Sequence, residues 1–249
     1  QTFVSWTWKG GGEAVNIGVN SITGSTPSIA SDVSANTAAG FSIVKATFNT
    51  SSPHTVAHGL DLAPEVIFSK RTSTTSDWNC YHKFTDTTSP ADYLIKLNSS
   101  DGRSDNSIYW NDTVPTDDVF TTGSIYDQSE TVIFYCWHSV AGYSKIGSYT
   151  GTNATNAVTT GFEPRFLMVK LTSAINGQWV MYDNARSGSN PRTKKLAANK
   201  DVAENDSGLL GGDSVHQVNF TSTGFELLET SGSVNTNKLD ETYLYMAFK

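Results

Sequence analysis

Apolar residues along this chain fall in short runs, each bounded by Gly, Pro, Asn or Asp. That spacing is the mark of antiparallel strands in a sandwich or barrel. The clear runs of the first half are 41–48, 65–70, 78–84, 93–97 and 131–138. In the second half they are 143–149, 165–171, 179–183 and 242–248. Residues 1–9 alternate like a further strand. Residues 10–40 are poor in charge and rich in Gly, Ser, Thr and Asn, which predicts a loose connector arm. Only 194–205 has a helix-compatible composition, and a short helix is expected there.

The two series of runs are copies. Gly59-Leu60 with Pro64 and Lys70 meets Gly161-Phe162 with Pro164 and Lys170. Trp78-Asn79-Cys80-Tyr81 meets Trp179-Val180-Met181-Tyr182, and Ile95 to Asn98 meets Leu196 to Asn199. Val119-Phe120 meets Gly224-Phe225. The closing run Glu130 to Trp137 meets Glu241 to Phe248. Order is kept and only loop lengths change. Gln1 to Trp8 reads as a third copy of the closing run, so the chain opens on what looks like the last strand of an earlier unit; it is expected to be either a piece of a longer modular protein or a chain with an abbreviated first module. The expected organisation is an all-β chain of two tandem antiparallel β-sandwich units of jelly-roll or lectin-like type. An N-terminal strand and arm (1–40) precede a first unit (41–141) and a second (142–249), with almost no linker between the units.

Composition narrows the function. Charged residues are 16% and hydrophobic residues 37%, and the polarity comes from Ser, Thr, Asn and Gly, which suit exposed sheet and turns. A net charge of −7 without a basic stripe argues against nucleic acid. No apolar run is long enough to cross a membrane as a helix, and no signal peptide is expected.

The duplication serves as a control on candidate chemistry, because a residue kept in both copies serves the fold before it serves a site. Cys80 and Cys136 face Met181 and Ala247, which predicts buried free thiols rather than a disulfide or metal pair. His58, His82 and His138 face Thr160, Asp183 and Lys249; they are expected to be turn or surface histidines. Glu130 and Glu241 match each other and Gln1, an amide, which argues for a positional role and against general acid work. Asp101, Asp105, Asp117, Asp118, Glu204, Asp206 and Asp213 lie in turn-like sequence that could bind calcium, although no calcium loop is present. Trp78 and Trp179 read as packing anchors. Tyr109 and Trp110 differ, since they face His216 and Gln217. With Asn111 and Asp112 they combine flat apolar faces and polar rims, the composition a sugar would meet; core packing or a contact between units is nevertheless the favoured explanation. Tyr109, Trp110, Asn111, Asp112 and His216 are therefore the candidate recognition residues. No catalytic residue, metal ligand or cofactor is expected.

Several motifs occur in order: Phe3 to Gly12, Ser34 to Val44, Val56 to Leu60 with Pro64, Tyr149-Thr150-Gly151 with Gly161-Phe162 and Pro164, and Tyr182 to Arg186. Together they resemble a repeat module of tail-fibre and other virion structural proteins of marine bacteriophages, including cyanophages. The resemblance implies a virion component with a lectin-like β-sandwich that self-associates, as a trimer for example, and contacts other virion proteins at the virion surface or outside cells. The expected function is a non-enzymatic tail-fibre or surface-fibre module for host attachment that touches host-surface glycans. The alternatives are a capsid-associated decoration protein contacting other subunits, a carbohydrate-active enzyme, and a bacterial surface adhesin.

Overall fold

The computed structural model describes residues 4–50, 52–126, 129–208, 210–228 and 235–249. The first half holds β1 (Val15–Ile17), β2 (Ser31–Asn36), β3 (Phe41–Phe48), β4 (His54–Ala57), β5 (Val66–Arg71), β6 (Asn79–His82), β7 (Tyr93–Lys96), β8 (Ser104–Asp105), the single-turn α1 (Ser107–Trp110), β9 (Val119–Thr122) and β10 (Glu130–Trp137). The second holds β11 (Ser144–Thr150), β12 (Asn156–Thr159), β13 (Phe166–Leu171), β14 (Trp179–Asp183), β15 (Lys195–Ala197), β16 (Val218–Thr221), β17 (Gly224–Leu227) and β18 (Thr242–Phe248). All strand pairs are antiparallel.

The first unit is an eight-stranded sheet, β1-β2-β3-β10-β5-β6-β7-β8, under a two-stranded ribbon, β4-β9. The second is a five-stranded sheet, β11-β18-β13-β14-β15, under the three strands β12-β17-β16. Shared strands keep one order: β3-β10-β5-β6-β7 answers β11-β18-β13-β14-β15. Their registers agree as well. Trp137 opposes Val66 as Phe248 opposes Phe166, and Cys80 opposes Ile95 as Met181 opposes Leu196. Val56 opposes Phe120 as Val158 opposes Phe225. A one-residue slip would turn every side chain to the other face, so agreement at each pairing makes the duplication one of fold and not of composition alone.

The central strands explain the layering. β10 sends Val132, Phe134 and Cys136 into the core under β4-β9, and Tyr135 and Trp137 to the other face. β18 sends Tyr243, Tyr245 and Ala247 into the second unit's core, and Leu244, Met246 and Phe248 to its other face. A strand covered on both sides loses hydrophobic alternation and reads as a continuous apolar run. The two uncovered faces meet, and Phe41, Val66, Phe68, Trp137, Phe166, Met168, Trp179 and Phe248 form a third core between the units. The result is four β layers with three apolar fillings.

Three expectations change. Residues 4–9 form no strand; Trp6 and Trp8 instead pack against the middle core, and residues 1–3 lie outside the described set. The arm is not loose throughout: β2 pairs along β3, and Ile29 and Val33 enter the first core, because a few apolar residues suffice to seat a strand beside an edge. No helix forms in 194–205; Lys195–Ala197 pairs with β14, so tertiary pairing overrides local propensity.

Candidate functional site

Trp110 is an interior residue. It is 2% exposed and packs edge-on against Tyr81, with ring centroids 5.9 Å apart. The α1 turn is started by Asn106, whose side chain accepts the Ile108 N–H, and stopped by Asn111 in the left-handed region. It hydrogen-bonds through the Tyr109 and Ile108 carbonyls to Gly123 and Ile125, just beyond β9. Among the described residues the second unit has no such turn before β17, but a third strand, β16, whose Val218 and Phe220 enter the core. Trp110 thus enters the first core from a helical turn, whereas Val218 and Phe220 enter the second from a strand. Core packing, the favoured explanation, holds for Tyr109-Trp110, and the candidate recognition face is corrected: Trp110 is enclosed and Tyr109 is half-buried against the same core, leaving only Asn111 and Asp112 exposed. His216 does not join them. It is buried in the second unit, its carbonyl accepts the Tyr182 hydroxyl at 2.6 Å, and its ring lies 3.3 Å from both the Thr236 hydroxyl and the Asn235 amide.

The other ionisable residues are built into the frame. His58, His82 and His138 are buried, which corrects their expected surface placement; His82 ends β6, and His58 and His138 directly follow β4 and β10. His58 Nδ1 accepts the Leu60 N–H and His82 Nδ1 accepts the Phe84 N–H. Burial lowers the His58 pKa to about 4 and that of His82 to about 3, so both rings are neutral near pH 7. Cys80 and Cys136 are free and buried, and they enter different cores, Cys80 the middle one and Cys136 the first. Burial raises both thiol pKa values, which suppresses the reactive thiolate. Glu130 pairs with Arg71 at 3.1 Å and Glu241 with Lys238 at 3.2 Å, each at a strand entrance. Of the turn carboxylates, Asp117 accepts the Ala63 N–H and Glu204 pairs with Arg186. Among the described residues no three His, Cys, Asp or Glu side chains are grouped to hold a metal.

The same local frame is repeated in each unit. Lys70 Nζ donates to the Ser76 carbonyl, and Lys170 Nζ to the Gly177 carbonyl, closing the β5-β6 and β13-β14 loops. The Trp78 N–H donates to Asn98 Oδ1 at 3.0 Å, and the Trp179 N–H to Asn199 Oδ1 at 3.1 Å.

Two concave features lie where the units meet. The first is an apolar cleft of about 440 Å³ walled by Trp6, Trp8, Trp78, Tyr135, Met181 and Phe248 among others. Several of its walls, Trp78 included, are only half-buried. The second is a mixed groove of about 450 Å³ on which Lys96, Asp101, Arg103 and Ser104 face Thr172–Ile175. In it Arg103 lies 4.3 Å over the Tyr93 ring and donates to Asp86 at 2.9 Å. The units approach closely at Gly102, where a Cβ would stand 2.7 Å from the Thr172 carbonyl. Reading single residues missed both features. The signal available was the continuous apolar run of 242–248, which calls for cover on two faces.

The model of a family described as a domain of unknown function, DUF7483, matches residues 1–249, and the chain belongs to that family. No curated protein and no solved structure matches it.

Proposed function

We propose that this member of the DUF7483 family is a non-enzymatic structural module of a virion, part of a tail fibre or surface fibre used in host attachment. The observation that carries the reading is the fused middle layer. Trp179 Nε1 donates to the Lys96 carbonyl at 2.9 Å and the Arg103 N–H to the Thr172 carbonyl at 2.9 Å, so apolar packing and hydrogen bonds join two units that have almost no linker. Two sandwiches fixed in one orientation suit a load-bearing spacer, whereas flexibly linked domains keep relative motion. The spending of buried histidines, thiols and strand-entrance glutamates on architecture points the same way. Host glycan is the proposed attachment partner, bound shallowly in the groove of Lys96, Asp101 and Arg103 with avidity from many copies.

The test has three readouts. Mass spectrometry and immunogold imaging of purified particles are expected to place the chain on tail or surface fibres. A head location would favour the decoration-protein alternative instead. Glycan-array binding is expected to fall on Arg103→Ala and to survive Asp112→Ala. Product release from a panel of host polysaccharides would overturn the non-enzymatic reading.

A further inference from the structure

Trp8, Trp137 and Phe248 hold the same place in three copies of the closing-strand sequence, and they meet in space. The Trp8 ring lies 6.2 Å from Trp137 and 5.2 Å from Phe248. Two residues earlier, Trp6, Tyr135 and Met246 are again equivalent, and all three line the apolar cleft. An N-terminal tail docked at random would not keep both correspondences.

The contact between the two units is head-to-tail. Trp179 of the second unit donates to the Lys96 carbonyl of the first. The reciprocal bond, from Trp78 to the Ala197 carbonyl, is not made; Trp78 stays half-buried in the cleft, stacked on Tyr135. His82 of the first unit lies against the Tyr245 backbone in the second unit's closing strand, though its Nε2 completes no hydrogen bond of normal geometry. The matching corner of the second unit, Asp183 with Arg186, reaches the N-terminal segment: the Arg186 guanidinium sits 5.5 Å from the Trp6 ring centre. Each unit therefore leans on the closing strand that comes next around the cleft. Head-to-tail contacts generate rings when their rotation closes. Two places around this cleft hold complete units, and the third holds only residues 4–8. The cleft's unfilled sides are Trp78 and Leu97 of one unit and Met181 and Ala198 of the other.

We propose that the cleft is the seat of a third unit of the same kind, carried on the same polypeptide, with residues 4–8 in its closing strand. In both complete units the closing strand comes last and lies between two flanking strands, β3 and β5 or β11 and β13. The flanking strands of the third unit accordingly stand ahead of residues 4–8 in chain order. Residues 4–9 pair with no strand here, as a central strand without its neighbours would. The inference is independent of the attachment reading.

The test supplies the missing strands and keeps the full chain intact. A copy of residues 41–129 is fused ahead of Gln1, so that residues 1–8 replace 130–137. Acrylamide quenching of Trp78, taken as the difference from the Trp78→Phe variant, is expected to fall severalfold, and so is binding of an anilinonaphthalene dye. Trp78→Ala is expected to lower the Tm by several degrees more in the extended chain than in the parent. A second fusion carrying residues 144–240 repeats the test with the other unit's strands. Either fusion giving this burial supports the proposal. It is overturned if the fusions gain strand content but leave quenching and dye binding unchanged, or if neither fusion folds. Finding the cleft of the parent chain filled by a second copy, or by a copurified apolar molecule in native mass spectrometry, overturns it as well.

Discussion

Trp78 and Trp179 stand at equivalent places in the two units, and their backbones are held alike by Asn98 and Asn199. Their rings fare differently. Trp179 is 2% exposed and hydrogen-bonded across the interface, whereas Trp78 is half-buried and faces the open cleft. Local sequence sets the frame in both cases, and the neighbouring unit decides what the frame is worth. The same holds for the lysines: Lys170 is fully buried on the Gly177 carbonyl, while Lys70 keeps some exposure. A head-to-tail contact gives two copies of one residue opposite surroundings, and comparing the copies measures the contact.

The largest break in this symmetry should come from Trp179→Ala, which removes a buried indole and leaves a cavity. It is expected to cost about 3–5 kcal/mol in chemical denaturation, whereas Trp78→Ala in the same chain should cost about 1 kcal/mol, since its ring is already partly in water. Near-equal losses would show that the two rings are equally enclosed.

Acid comes next, and it acts on the first unit, which carries both His58 and His82. Their folded pKa values, about 4 and about 3, lie below the ordinary 6.5. The unfolded chain therefore binds protons that the folded chain refuses. The stability of the neutral rings is fully present above pH 6.5 and is lost as pH falls toward 4. Going from pH 7 to 5 should cost about 2 kcal/mol for each histidine. His58→Gln should flatten that slope by about half, and urea midpoints at the two pH values measure it.

Lys170→Met leaves the Gly177 carbonyl without its donor inside the middle layer and should cost about 1–3 kcal/mol. Lys70→Met, at the partly exposed counterpart, should cost less than that. The smallest effect is a null result. Cys80 and Cys136 should not react with a thiol reagent in the native protein and should both react once it is unfolded; fast native reaction at Cys80 would show that the middle layer opens.

Much of the fold was legible along the chain. The repeat of Pro64 and Lys70 in Pro164 and Lys170, and of Glu130 to Trp137 in Glu241 to Phe248, placed the central strands correctly because register and burial impose the same pattern twice. Less was legible where a neighbour decides. Residues 31–36 looked like part of an arm, since Ser31-Asp32-Val33 has weak alternation and pairs only because β3 offers an edge. Trp110 beside Asn111 and Asp112 looked like a recognition surface, because sequence shows composition and not the direction a turn points. The histidines read as turn or surface residues, and their burial was missed for the same reason: burial of a neutral imidazole depends on loop carbonyls and amides that sequence does not bring together.

By itself the amino-acid sequence determined an all-β chain with a duplicated unit, free thiols in apolar positions and paired glutamates at strand entrances. All of these follow from periodicity and from comparing one copy with the other, and those are local properties. Only the tertiary structure decided that the outer faces of the two sheets join in a common layer, that Trp179 is covered while Trp78 is not, and that Trp6 and Trp8 line a cleft between units. Those outcomes depend on which surfaces meet. Apolar faces are sticky without direction, so their partner is chosen by shape and by a few directional bonds, such as that from Trp179 to the Lys96 carbonyl, which exist only once the layers are stacked.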